Sequence, residues 1–322
     1  MLNKEEFKEQ FLNDIKERLA DSKAKISTTE VKKLNESYDA ITVTPGGSKI
    51  GVNLPVDKFY EAAKNGMSYE KVLDQAIKTI ENAIKEGPQV DVAGLTDYSQ
   101  MKEKLVMEVV SAETNAEMLK TVPHQMLEDM AVVYRFELSS DEKGRATVLV
   151  TNQMLDTMGI TAEQLHKDAM ENAPQIKPAE IRGMSEVLAE LMGVEQTELM
   201  GAGPVAPEEE QMYVASVPDK IHGASVLAYE NFMEQAAERA GGDFFILPSS
   251  IHEVLIVPDN GQMDLGTLEN MVREVNATQV APEEKLTDNV YHYDVKEKVF
   301  ETGRDYLERT KDLEMEDPDI DR

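Results

Sequence analysis

Residues 241–261, GGDFFILPSSIHEVLIVPDNG, decide the fold, because two apolar runs there flank a polar stretch. The runs, residues 244–247 and residues 254–257, are each long enough for a short buried strand. Pro248, Ser249 and Ser250 between them favour a tight connection. The stretch therefore predicts two neighbouring strands in the core, joined by residues 248–253.

Outside this stretch, strand and helix patterns are mixed without regular βαβ alternation. Ile41 and Val43 alternate with polar residues, a glycine-rich turn follows, and Val52 and Leu54 alternate again, which predicts a hairpin. Short strands joined by hairpins are typical of antiparallel sheets. We therefore predict an α+β fold with a mostly antiparallel or mixed sheet and flanking helices.

The chain divides by composition into three predicted parts. Residues 1–88 read as a small N-terminal α+β unit, residues 89–295 as a larger α+β region, and residues 296–322 as a helical to disordered acidic tail. The larger region contains two strand–turn–strand–helix patterns, which are explained by a duplication or by a common unit without shared origin. A helix is predicted over residues 181–192, a strand over residues 224–228, and a helix from Val299 that fades into disorder.

The charge of the chain limits its partners. It has 62 acidic and 33 basic residues, a formal net charge of −29. Such a protein repels phosphate, so direct nucleic-acid binding and docking on anionic membranes are disfavoured. The simplest interpretation of this charge is a solvated surface that keeps the chain soluble, and a protein partner with a basic surface is the alternative that the charge allows. An acidic protein that mimics nucleic acid to inhibit a basic partner is an alternative with the same charge requirement.

Cysteine is absent, which excludes disulfides, thiolate metal sites and cysteine catalysis. No apolar run approaches the roughly 20 residues needed to span a bilayer. The first 20 residues form a charged amphipathic pattern without the apolar core of a secretory signal. These features predict a cytoplasmic protein.

The sharpest candidate chemistry is the set Ser249, Ser250, His252 and Glu253. A serine nucleophile needs an imidazole within hydrogen-bond reach and a carboxylate that fixes the imidazole tautomer. On an extended chain Ser250 and His252 share a face while Glu253 points away. The competing interpretation is structural: the serine hydroxyls bond local amides in the connection between two strands. We favour the structural interpretation.

No motif predicts a cofactor or a metal site. The five histidines, His124, His166, His222, His252 and His292, are not arranged as HExxH or in a dense ligand cluster. The sequence also lacks a GxSxG elbow, a Walker-type phosphate loop and a GxGxxG fingerprint. We therefore predict no cofactor and no bound metal.

Several stretches resemble an uncharacterised family, a domain of unknown function found in anaerobic Gram-positive bacteria. The C-terminal signature is residues 241–261 followed by MVREVNATQVAPEEKLTDNVYHYD at 271–294. Residues 51–73, 122–138 and 146–160 resemble the rest of the family pattern, so the chain looks like a full-length member. The resemblance implies a bacterial protein and assigns no role to any residue.

Three functional hypotheses follow. The first is a non-enzymatic binding or regulatory role. The alternative is a hydrolase-like enzyme centred on Ser250 and His252, and the second alternative is the nucleic-acid-mimicking inhibitor. The sequence leaves the oligomeric state open.

Overall fold

The chain forms two compact units, residues 1–95 and residues 96–322. The computed structural model describes residues 2–47, 51–86, 94–141, 144–194 and 210–316. The predicted boundary after residue 88 lies outside the described residues. The three-part division predicted from composition stays a prediction.

The first unit packs helices on a three-stranded antiparallel sheet whose order is β1–β2–β3. Its elements are α1 (Lys4–Arg18), β1 (Lys25–Lys33), β2 (Glu36–Thr44), β3 (Val52–Pro55), α2 (Val56–Lys64) and α3 (Tyr69–Glu86). The Asn3 side chain accepts from the Glu6 amide while the Glu6 carboxylate accepts from the Asn3 amide, so a capping box fixes where α1 begins.

The core of this unit is aromatic and aliphatic. Phe7, Phe11 and Ile15, one per turn of α1, are buried in a cluster with Ile41 and Val43 of β2. The rings of Phe7 and Phe11 stack at 5.1 Å. The predicted hairpin is confirmed, since Val43 pairs with Val52 and Ile41 with Leu54.

The second unit contains a four-stranded and a six-stranded sheet, and every strand pair in both is antiparallel. The four-stranded sheet consists of β4 (Leu105–Ser111), β5 (His124–Leu127), β6 (Met130–Asp141) and β7 (Gly144–Leu149). The six-stranded sheet consists of β8 (Glu180–Gly183), β9 (Tyr213–Ser216), β10 (Phe244–Leu247), β11 (Val254–Pro258), β12 (Tyr291–Asp294) and β13 (Val299–Thr302). Its order is β13–β12–β10–β11–β9–β8. The α+β prediction is confirmed.

The described residues of this unit also form α-helices, several of which pack on the two sheets. They are α4 (Tyr98–Met101), α5 (Ala116–Leu119), α6 (Asn152–Met158), α7 (Ala162–Ile176), α8 (Met184–Met192), α9 (Phe232–Ala240), α10 (Leu265–Thr278) and α11 (Gly303–Glu316). Thr161 accepts from the Gln164 amide and fixes where α7 begins.

The strand pair predicted from residues 241–261 lies in the middle of the six-stranded sheet. All four residues of β10 are buried, and Phe245 pairs with Val257 of β11. A strand covered on both faces explains why these runs are continuously apolar rather than alternating. Residues 248–253 connect the two strands, as predicted.

Three local predictions are wrong. Residues 181–183 belong to β8 because Ile181 pairs with Ala215 of β9, so the helix begins only at Met184. The segment Gly223–Ala228 is a 3₁₀ helix instead of a strand. Val299–Thr302 forms β13 because Phe300 pairs with Tyr293 of β12, and the helix starts after it. In each case tertiary pairing or packing decided a segment whose local pattern was ambiguous.

Candidate functional site

The four predicted site residues lie in the connection between β10 and β11. The Ser250 hydroxyl accepts a hydrogen bond from the His252 backbone amide at 3.1 Å, and the Ser249 carbonyl accepts from the Leu286 amide at 3.1 Å. Glu253 is exposed to solvent. The Ser250 hydroxyl therefore bonds a local amide of the connection, whereas the contact of Ser249 is made by its backbone carbonyl.

The His252 imidazole is engaged through both of its nitrogens. Nδ1 accepts from the His222 backbone amide at 3.2 Å, and Nε2 lies 3.4 Å from the Glu284 carboxylate. Because Nδ1 acts as an acceptor, the neutral ring carries its proton on Nε2, the nitrogen nearer to the Glu284 carboxylate. The structure thus brings His252 to a distant carboxylate, Glu284, and to a second histidine. The catalytic hypothesis for Ser249, Ser250, His252 and Glu253 stays a prediction.

A buried carboxylate continues this arrangement into the protein. Glu108, in the middle of β4, is 1% exposed. Its Oε2 accepts from Arg135 Nε at 2.6 Å, and its Oε1 lies 3.6 Å from His222 Nε2. Arg135 also donates to the Thr147 hydroxyl. A carboxylate in a dry core persists only with partners of this kind.

We call Arg135, Glu108, His222, His252 and Glu284 the histidine row. It runs from the buried middle of β4 to the half-exposed side chain of Glu284. Among the described residues, no three His, Asp or Glu side chains are grouped so that they could hold a metal ion.

The backbone at His222 is strained to fit this row. His222 has φ of 56°, in the left-handed region that non-glycine residues rarely adopt. At the next residue, a Cβ would overlap the Ser216 hydroxyl and the His252 carbonyl, so glycine is required at Gly223. The loop is anchored by Lys177, whose Nζ donates to Asp219 at 2.6 Å.

A cleft of about 410 Å³ opens where β4 ends. It is lined by residues 111–114, Asp129 and residues 285–289. Three of these residues, Glu113, Asp129 and Asp288, are acidic, and one, Lys285, is basic. Lys285 is already paired with Asp288 at 2.7 Å. The cleft is therefore polar and carries an excess of negative charge.

Asp129 is held in this cleft by neutral donors. Its Oδ2 accepts from the Thr287 hydroxyl at 2.7 Å and from Asn289 Nδ2 at 3.0 Å, and its Oδ1 accepts from the Tyr291 hydroxyl. Three uncharged donors fix the carboxylate without neutralising it.

The pKa of the neighbouring Glu128 is sensitive to the negative charge around Asp129. Its pKa is raised, first by partial burial and then by the carboxylates of Asp305, Asp129 and Glu301. Like charges nearby raise the pKa of a carboxyl group, so part of this shift reflects the negative potential of the three neighbouring carboxylates. Glu128 also has a left-handed φ of 54°.

A second histidine–carboxylate pair is formed by a fully buried histidine and a partly exposed aspartate. His292 is fully buried, and its Nε2 lies 3.2 Å from Asp259 Oδ2. The Tyr306 ring of α11 stacks on the imidazole at 3.5 Å and its hydroxyl donates to the same carboxylate oxygen. Burial and the Asp259 charge raise the pKa of Tyr306 to about 12, and the His292 hydrogen bond lowers the pKa of Asp259. This pair ties α11 to the sheet.

Sequence reasoning missed most of these residues. Glu108 lies in the middle of a mostly apolar strand, and a charged residue inside a predicted buried strand is a signal that could have marked it. Glu128 and Asp129 lie between two strand patterns. Polar residues at such a position predict a hairpin turn and do not indicate a binding site. The donors to Asp129 lie about 160 residues further along the chain.

Fold and sites together define an acidic α+β protein with a histidine row that begins at a buried carboxylate, and with an acidic cleft lined by other residues. The chain belongs to a family of unknown function, DUF5688, whose model matches residues 4–295. The match begins in α1 and ends one residue after β12, so β13 and α11 lie outside it. No curated protein and no solved structure matches the chain.

Proposed function

We propose that this chain is a non-enzymatic binding protein whose second unit holds a basic protein partner through the Asp129 cleft. The observation that supports the proposal most is the cleft itself: a concave surface with three carboxylates, one ammonium, and an aspartate fixed by neutral donors. Clefts with a few convergent polar groups are the usual place for recognition.

The distribution of charge agrees with this proposal. Residues 1–95 contain 16 acidic and 14 basic residues, whereas residues 96–322 contain 46 and 19. The net charge of −29 thus falls almost wholly on the second unit. A field of this sign steers a basic partner toward the cleft and weakens as salt rises.

The proposal includes a cytoplasmic location, which the absence of cysteine supports. It also includes an origin in an anaerobic Gram-positive bacterium, which the family resemblance supports. In the described residues no helix has the length and apolar character needed to cross a membrane. We further propose that the role is regulatory. A protein that binds a partner without chemically changing it acts by controlling how much of that partner is free.

Fluorescence anisotropy of a labelled oligolysine peptide with the full chain tests the proposal. We expect binding at low salt that the double variant Glu113→Gln, Asp129→Asn weakens at least about tenfold. The double variant Glu238→Gln, Glu253→Gln removes the same charge from exposed positions outside the cleft and should leave affinity nearly unchanged. Equal losses of affinity in the two double variants would mean that the overall charge alone attracts the peptide. That result would refute the cleft as the binding site.

A further inference from the structure

The acceptor sites of Asp129 are unequally filled, and this limits which cation fits. A carboxylate has about four lone-pair sites, two on each oxygen. Oδ2 already accepts from Thr287 and Asn289, so both of its sites are occupied. Among the described residues, the Oδ1 atom accepts from Tyr291 alone, which leaves one of its sites open there.

An arginine side chain pairs best with a carboxylate in a fork, with one N–H directed at each oxygen. That arrangement needs an open site on both oxygens. Because Oδ2 of Asp129 is filled, a guanidinium can make only a single hydrogen bond there and loses the advantage of its shape.

A primary ammonium has different requirements. It is a compact charge with three donors that need not lie in one plane. One N–H fits the open site on Oδ1. Ser111 and Thr114 are among the residues that line the cleft, and a serine or threonine hydroxyl can accept from the other two.

We infer that Asp129 receives a primary ammonium group, such as a lysine side chain, in preference to a guanidinium. The inference rests on the proposed function, because it names the chemical group that the cleft takes from a basic partner. Asp129 supplies the counter-charge, and the donors on Oδ2, Thr287 and Asn289, set the preference.

Asn289 offers a direct way to change the preference. Its side chain is exposed, and its backbone amide donates to the Thr287 hydroxyl independently of the side chain. Asn289→Ala therefore opens one site on Oδ2 without removing a buried group. The variant can then accept a guanidinium fork across both oxygens.

The experiment titrates the full chain with acetyl-lysine methylamide and acetyl-arginine methylamide, whose blocked termini leave only the side-chain charge, and follows backbone amide shifts by NMR. For the wild type we expect the lysine probe to bind at least about threefold more tightly. Asn289→Ala should bring the ratio to one or reverse it. Asp129→Asn should abolish the binding of both probes, and Glu253→Gln should change neither.

Three outcomes overturn the inference: tighter binding of the arginine probe to the wild type, an unchanged ratio in Asn289→Ala, or no binding of either probe. If oligolysine still binds the cleft in any of these cases, the proposed function stands and only the ammonium preference is wrong. If oligolysine does not bind either, the proposed function fails as well.

Discussion

The imidazole of His222 lies 3.6 Å from the carboxylate of Glu108, a side chain that is almost wholly inaccessible to solvent. The pair links the strained loop before the Gly223–Ala228 3₁₀ helix to the middle of β4. Arg135 supplies the second partner of the carboxylate. The histidine row is therefore part of the framework that holds the two sheets of the second unit together.

Replacing Glu108 tests this structural role. Glu108→Gln keeps the shape of the side chain but leaves Arg135 without its counter-charge in a largely buried setting. Removal of one member of a buried ion pair costs about 3 kcal/mol or more, so we expect the free energy of unfolding in urea to fall by that amount. Glu253→Gln, at an exposed position, is the matched control and should have almost no effect. A small loss in Glu108→Gln would show that the row contributes little to stability.

The absence of a side chain at Gly223 gives a second prediction. Gly223→Ala places a methyl group against the Ser216 hydroxyl and the His252 carbonyl. Because a backbone carbonyl cannot move aside cheaply, we expect a loss of about 3 kcal/mol by thermal or urea unfolding. Gly241→Ala is the control: nothing lies near its Cβ, but its φ of +78° strains alanine, at about 1 kcal/mol. Equal losses would contradict the close approach at Gly223.

The lowered pKa of Asp168 leads us to expect that the stability of the protein depends on pH. Burial raises the pKa of this carboxyl, but hydrogen bonds from Tyr98, Gln164 and Lys102 outweigh burial, and the net pKa is lowered. A carboxyl whose pKa is lower in the folded state stabilises the protein above its unfolded pKa, near 3.8, and loses that contribution as the pH falls through the folded value.

We therefore expect Asp168→Asn to reduce the free energy of unfolding by about 2 kcal/mol at pH 7. The difference from the wild type should shrink steadily below pH 4. Glu171→Gln, exposed on the same helix, serves as the control. Denaturant titrations across this range give the measurement, and a difference that stays constant down to pH 2 would contradict the assignment.

Much of the fold was predictable because it depends on local patterns. The apolar runs of β10 and β11, and the alternation of Ile41 and Val43 in β2, each specify a strand without reference to distant residues. The errors came where a distant partner decided. Residues 181–183 and 299–302 became strands because β9 and β12 offered open edges, which no local window reveals.

The sites were harder to predict for the same reason. His252 was identified, but its partners Glu284 and His222 lie about 30 residues away on either side, and Glu253 beside it in sequence points into solvent. Asp129 was not identified at all. Its character as a fixed anion comes from Thr287, Asn289 and Tyr291, which only the folded chain brings to it.

The most direct test of the proposed function is amide hydrogen exchange of the full chain with and without oligolysine at low salt. Binding in the Asp129 cleft predicts slower exchange in residues 111–114 and 285–289, with residues 249–253 less affected. The slowing should disappear in Asp129→Asn. Slower exchange confined to residues 249–253, or no change anywhere in the second unit, would contradict it.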